Sequence, residues 1–359
     1  MDIQNELTRI GTHEAFASIL GSRIPLYDTP VSARENLFLA MEGRELWTPV
    51  SSEQLTFTPR IIPDNIARGF VLDADPIDND SEAGGLDMFG VNWEWIPQVD
   101  GSMVRPENEK KLKDIAEWET SLAFPDPSGW DWEGSAEANL RYFSKDLPVA
   151  TWLFTGLFER LVSLMGFGEA AIALVDEEEK PHVLKFFDRL CSLYEDIFTR
   201  FKKYYDCDLI HFHDDWGGQY APFFSLETVR EMLLPSLKRL VGHVHGLGMI
   251  FEHHSCGKVE ILVPAMAEAG VDIWAGQNIN DYPALLEEYG PRLRMGVMPK
   301  IEFGLSYTAE EAEEIAKEFL KTYDRWLPYI RVQNFIANDE GRNKLYEIVY
   351  EYTRRKFSR

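Results

Sequence analysis

CDLIHFHDDWGGQYAPFFSLETVREMLLPSLKRLVGHVHGLGMIFEHHS, residues 207–255, holds the pattern that decides the fold. Its first seven residues, CDLIHFH (207–213), form a short apolar run that reads as a buried strand. A helical pattern follows over 226–245 and stops at Gly246 and Gly248, where left-handed caps are expected. The next run, MIFEHHS (249–255), reads as a second strand. Strand, helix, strand at this spacing argues for a parallel βαβ unit.

The same alternation extends along most of the chain. Working back, a long helix fills 177–205, opened by Asp176, Glu179 and Pro181. Before it lie a helix at 157–166 and a β-prone run, PVATWLFT (148–155). Working forward, strands are expected at 271–275, 293–298 and 330–336. Helices are expected at 309–326, with a Thr308/Glu311 capping box, and at 341–356. Seven or eight such units suit a (β/α)₈ barrel, one domain over 1–359, better than an open doubly wound sheet. No glycine-rich nucleotide loop follows any strand. The first third is less regular. Residues 1–30 read as an N-terminal extension. Residues 31–44 read as a helix with Ser32 as N-cap, and 84–135 as long, structured, aromatic-rich loops.

Chemistry concentrates at the two strand ends. Six of the eight histidines lie between 211 and 254. His243 and His245 fall at the end of a helix, where the helix dipole favours an imidazolium, and are read as structural. His211 and His213 share one face of the first strand and precede Asp214, Asp215, Trp216 and two glycines. The C-terminal ends of barrel strands carry active sites. The competing reading is a turn in which Asp214 or Asp215 caps the loop. One unit later, Glu252, His254 and Cys256 are two residues apart, so an extended chain points all three to one side, with His253 on the other. Carboxylate, imidazole and thiolate are the protein ligand types of zinc, and catalytic zinc takes three and keeps a fourth position open. These three are the expected metal ligands. Cys191 and Cys207 are read as structural.

Composition limits the alternatives. Sixty acidic residues against 36 basic ones leave a net charge of −24, a field that repels nucleic acid and anionic lipid. Three cysteines cannot form a disulfide framework in 359 residues. No signal peptide or membrane-length apolar run is visible, so a cytoplasmic location is expected.

At HHSCGKV (253–259) the chain resembles the H-x-C-G strand end of the corrinoid-dependent methyltransferases in the uroporphyrinogen decarboxylase superfamily. HDDWGGQ (213–219), SARENLFLAMEGR (32–44) and DMFGVNWEW (87–95) resemble three further segments of that family. The resemblance implies a (β/α)₈ barrel of that type. It implies zinc on His254 and Cys256, and methyl exchange with a corrinoid (cobalamin) carried by a separate corrinoid-binding protein. The arginine-rich motif of porphyrin decarboxylases is missing. So is the later zinc cysteine of the thiol-methylating members, since no Cys follows Cys256. The third ligand is then Glu252, with Asp339 or Glu340 as alternatives.

A thiolate-poor zinc is a stronger Lewis acid and suits an oxygen substrate. The expected reaction is demethylation of a methoxylated small molecule, an aryl methyl ether in the first place. Asp214, Asp215 and His213 are the expected catalytic or orienting groups. Gln219, Trp216, Trp93, Trp95 and His211 are expected to contact substrate. The alternatives are methyl transfer to a thiol or folate, and a metal-free decarboxylase on the same fold.

Overall fold

The two histidine-bearing runs are strands, and they pair in parallel with His211 opposite Glu252 and His213 opposite His254. This pairing positions the site. The computed structural model describes residues 6–16, 23–99, 101–105 and 110–358. Among these, the strands in chain order are β1 (Arg9–Glu14), β2 (Arg23–Tyr27), β3 (Leu55–Phe57), β4 (Gly84–Leu86), β5 (Asn92–Ile96) and β6 (Gly101–Met103). They continue with β7 (Val149–Leu153), β8 (Leu209–His213), β9 (Ile250–His254), β10 (Ile273–Ala275), β11 (Arg294–Val297) and β12 (Ile330–Val332). Seven of them form one sheet in the order β12-β11-β10-β9-β8-β7-β3, so the chain is an α/β protein. Its β8–β9, β10–β11 and β11–β12 pairings are parallel. The strands are short and almost wholly buried, as expected for parallel strands covered on both faces.

The chain gathers into two compact units. The first comprises Met1–Thr56, Leu140–Ala150 and Asp272–Arg359. Ser32 caps its helix Ala33–Met41, its oxygen accepting from the Glu35 N–H at 3.1 Å. Thr308 and Glu311 form the expected capping box on helix Ala309–Tyr323. Val50 makes a parallel bridge to Val332. The buried Arg294 guanidinium donates to the carbonyls of Ala40 and Pro328 and faces Glu45, tying helix Ala33–Met41 to β11.

The second unit comprises Phe57–Asn139 and Thr151–Val271. Its longest helix, Lys180–Tyr205, has Pro181 in its first turn and ends at Asp206 in the left-handed region. Its buried stripe includes Val183, Phe187, Leu190, Tyr194 and Phe198, the three-and-four spacing of an amphipathic helix. Cys191 and Cys207 are buried here. A buried Arg160, on helix Leu157–Met165, pairs with Asp64 and Asp87.

Several expectations change. The span 84–106, read as loop, carries the antiparallel sheet β4-β5-β6. Strands of three to five residues, with glycines at 84, 85 and 101, are too short to show periodicity. Residues 100 and 106 of that span, and 107–109 after it, lie outside the described residues. Within the expected extension 1–30, β1 and β2 form an antiparallel hairpin, and residues 1–5 and 17–22 lie outside the described residues. The helix expected at 226–245 contains a π-turn at Val229–Leu233 before the α-helix Leu234–Gly246. Pro235 explains it, because its ring lacks the N–H for a regular bond and crowds the preceding turn. No helix among the described residues is long and apolar enough to cross a membrane.

Candidate metal centre

The register of β8 against β9 builds two side-chain layers. His211 and Glu252 form the inner one, with Nδ1 of His211 2.7 Å from Oε1 of Glu252 and both residues buried. The ring of Trp152, on β7, stacks on His211 at 4.2 Å. Two residues further along each strand, roughly 6.6 Å at the usual strand rise, His213 and His254 form the outer layer. Their rings are 4.7 Å apart. Phe212 and His253 occupy the opposite face, where Trp216 covers His253 at 4.7 Å.

Beyond the strand ends the two loops are joined by hydrogen bonds. The Asp214 N–H donates to the His254 carbonyl at 3.0 Å, and the Trp216 N–H to Oγ of Ser255 at 2.9 Å. The Cys256 N–H donates to Oδ1 of Asp215 at 2.7 Å. Gly257 follows at φ +92°, and a Cβ there would lie 2.3 Å from the Gly217 carbonyl group. Only glycine permits both the backbone angle and the approach. Cys256 is thereby folded back toward the outer layer.

The result is a group of four potential ligands, His213, Asp215, His254 and Cys256, whose donor atoms all lie within 4.8 Å of one another. Nε2 of His254 is 3.3 Å from Sγ of Cys256 and 4.0 Å from Oδ1 of Asp215. A tetrahedral zinc with bonds of about 2.0–2.3 Å separates its donors by roughly 3.3–3.8 Å, so small movements would seat an ion. Two imidazoles, a carboxylate and a thiolate suit zinc, and the two anionic donors offset a divalent charge. Burial pushes the Cys256 thiol well above its ordinary value, and the adjacent Asp215 adds to this. A bound cation reverses that preference and favours the thiolate.

A second carboxylate orients the outer layer. Glu159 sits in the first turn of helix Leu157–Met165, and its Oε2 is 2.7 Å from Nδ1 of His213. Nε2 is then the nitrogen left for a metal, the usual carboxylate–histidine arrangement. Burial pulls the His213 imidazole down, but Glu159 and Asp215 outweigh it and leave it above its ordinary value. Arg68 stands behind Glu159, 3.5 Å from Oε1. Its guanidinium carbon is 4.8 Å from the centre of the Trp93 ring and 5.6 Å from that of Phe154.

The other sequence-derived residues are placed as follows. Glu252 is held by His211, one layer below the four-residue group, and is not one of its members. Asp339 and Glu340 begin helix Asp339–Phe357 of the first unit, both exposed, and Asp339 pairs with Arg342. Asp214 is fully buried and accepts the N–H groups of Phe158 and Glu159 and the indole of Trp216. It therefore anchors a helix start, and burial pushes its carboxyl up to about 7. Asp215 is the member of that pair that joins the cluster. Trp216 is fully buried against His253 and offers no wall to a substrate. Trp93 is nearly buried, its N–H on Asp87 at 3.0 Å and its ring against Arg68. The Trp95 ring fills the space a Gly69 side chain would need. His211 is buried beneath the group, and Gln219 is exposed on the loop.

Sequence reading missed Glu159 and Arg68. Glu159 had a usable signal, an acid in the first helical turn after the strand run 148–155. Arg68 had none.

No family model matches the chain, and no curated protein matches it. Solved structures that superpose on it include the intracellular xylanase TsXylA of Thermoanaerobacterium saccharolyticum. That enzyme is 11% identical over 59% of this chain and 72% of its own, with a TM-score of 0.34. A sugar phosphate isomerase/epimerase from Parabacteroides distasonis is 11% identical over 62% and 79%, with a TM-score of 0.34. The chitinase RmChi1 of Rhizomucor miehei is 12% identical over 67% and 90%, also at 0.34. At these scores none of them informs the chemistry of this chain.

Proposed function

We propose that the chain is a zinc-dependent methyltransferase on a (β/α)₈ barrel of the uroporphyrinogen decarboxylase type. It takes the methyl group of a methoxylated compound, an aryl methyl ether in the first place, for transfer to the cobalt(I) of a corrinoid on a separate protein. His213, His254 and Cys256 hold the metal with Asp215. The observation that carries the reading is this donor set, which contains a single thiol among four groups within 4.8 Å.

Bound there, zinc supplies Lewis acidity toward the ether oxygen of the substrate, and few thiolates mean a stronger acid. The chain's own residues do the rest. Glu159 keeps the His213 Nδ1 proton and aims the opposite nitrogen into the group. Asp215 would be the most weakly held of the four donors, because the Cys256 N–H already satisfies its Oδ1. The Asp214 N–H on the His254 carbonyl and the paired glycines at 217 and 257 keep the two loops in register.

The test is methyl transfer itself. Zinc-loaded protein, a cobalt(I) corrinoid protein and a panel of aryl methyl ethers are expected to give the methylcobalt absorption spectrum with at least one ether. No methylation from any ether, with demethylation of the methylcorrinoid by a thiol instead, would reverse the proposed direction.

A further inference from the structure

Arg68 is a largely buried cation beside the metal group with little bonded to it. Its side chain is 16% exposed. Its guanidinium makes one hydrogen bond among the described residues, at 3.5 Å to Oε1 of Glu159, whose other oxygen holds His213. A guanidinium has five N–H donors in a planar fork, so most are unused. None of these N–H groups is both sealed from water and unpartnered, so they stay open to a further acceptor that would replace solvent.

The placement of Arg68 is nonetheless closely specified. Helix Pro63–Ala67 ends on it, and Gly69 follows at φ +72° with the Trp95 ring against the position of its missing Cβ. The Trp93 face lies 4.8 Å away, fixed through its indole N–H by Asp87, which Arg160 holds in turn. Phe154 touches both sides of the site, its ring 5.6 Å from Arg68 and 5.9 Å from His213. Aromatic faces of this kind hold a guanidinium flat and leave its edge for a planar acceptor.

The local charge makes the choice of ligand specific. Glu159 and Asp215 flank the group, and the chain carries a net charge of −24. An anion entering here meets these carboxylates, and Arg68 is a protein cation placed beside the metal group to receive it, whereas a neutral ligand gains little from Arg68.

We propose that the ligand of this site bears a carboxylate, and that Arg68 is the specificity-determining residue that receives it in a two-point hydrogen bond. This rests on the reading that substrate lies against the metal group, and in that reading the substrate is a methoxyaryl carboxylate.

The experiment is calorimetric binding to zinc-loaded protein without corrinoid partner, comparing 3,4-dimethoxybenzoate with the neutral 3,4-dimethoxybenzamide. The wild type is expected to prefer the carboxylate by at least about tenfold. Arg68→Gln is expected to abolish that preference while leaving the amide affinity and zinc content unchanged, and Arg68→Lys to restore part of it. Equal binding of the two probes to the wild type, binding of neither, or an equal loss of both in Arg68→Gln would overturn the proposal. The same comparison on zinc-free wild type separates Arg68 from the metal even if the variants misfold: the carboxylate preference is expected to persist there, and its disappearance with the zinc would overturn the proposal. Carboxylate binding through Arg68 without methyl transfer would count against the proposed reaction and leave this inference intact.

Discussion

Oε2 of Glu159 lies 2.7 Å from Nδ1 of His213, which links the first turn of one helix to the end of the neighbouring strand. The contact orients the ring and favours a proton on Nδ1. Partners of this kind matter by about 10–100-fold in metal affinity. Glu159→Gln is therefore expected to weaken zinc binding by that factor, measured by competition with a chelator, while the near-ultraviolet circular dichroism stays native. Unchanged affinity would mean that His213 is not a ligand.

Glu252 makes the contrasting case. It lies in the inner layer with His211, so Glu252→Gln should retain one zinc per chain, whereas His254→Ala should lose it. The cost of Glu252→Gln should appear in stability, about 1–3 kcal/mol for a weakened buried hydrogen bond, read from urea unfolding. Loss of zinc in Glu252→Gln with retention in Asp215→Ala would restore Glu252 as the ligand.

Glu53, in the first unit, gives a pH-dependent prediction. Its carboxylate accepts from the indole N–H of Trp47 and from the Val50 N–H, yet burial outweighs these donors and pushes it up to about 7. The folded state then holds a proton that the unfolded chain releases near pH 4.5. Stability from this group is full below about pH 4.5, falls as pH rises to about 7, and is level above. Unfolding of wild type and Glu53→Gln at pH 5 and pH 8 should show the difference moving in favour of the variant at the higher pH. A difference that does not change with pH would contradict it.

Much of this was legible in the sequence. The runs 207–213 and 249–255 announced β8 and β9 because buried parallel strands are short and apolar. The H-x-C-G motif marked His254 and Cys256. The membership of the four-residue group was harder, because a period of two relates residues along one strand and says nothing about height in the layers. Cross-strand register sets Glu252 against His211 and His254 against His213. Asp214 and Asp215 could not be separated either, since their roles depend on a helix start that comes more than fifty residues earlier. Arg68 reaches the site through a glycine turn and an aromatic face that no local pattern encodes.

The proposed chemistry depends on a single coordination sphere formed by His213, Asp215, His254 and Cys256. X-ray absorption spectroscopy of the zinc-loaded wild type, with metal content measured on the same sample, tests it directly. One zinc per chain with a single sulfur near 2.3 Å and the remaining donors nitrogen or oxygen near 2.0–2.1 Å is the predicted result. Far less than one zinc per chain from zinc-replete preparation, or a first shell without sulfur, would contradict it.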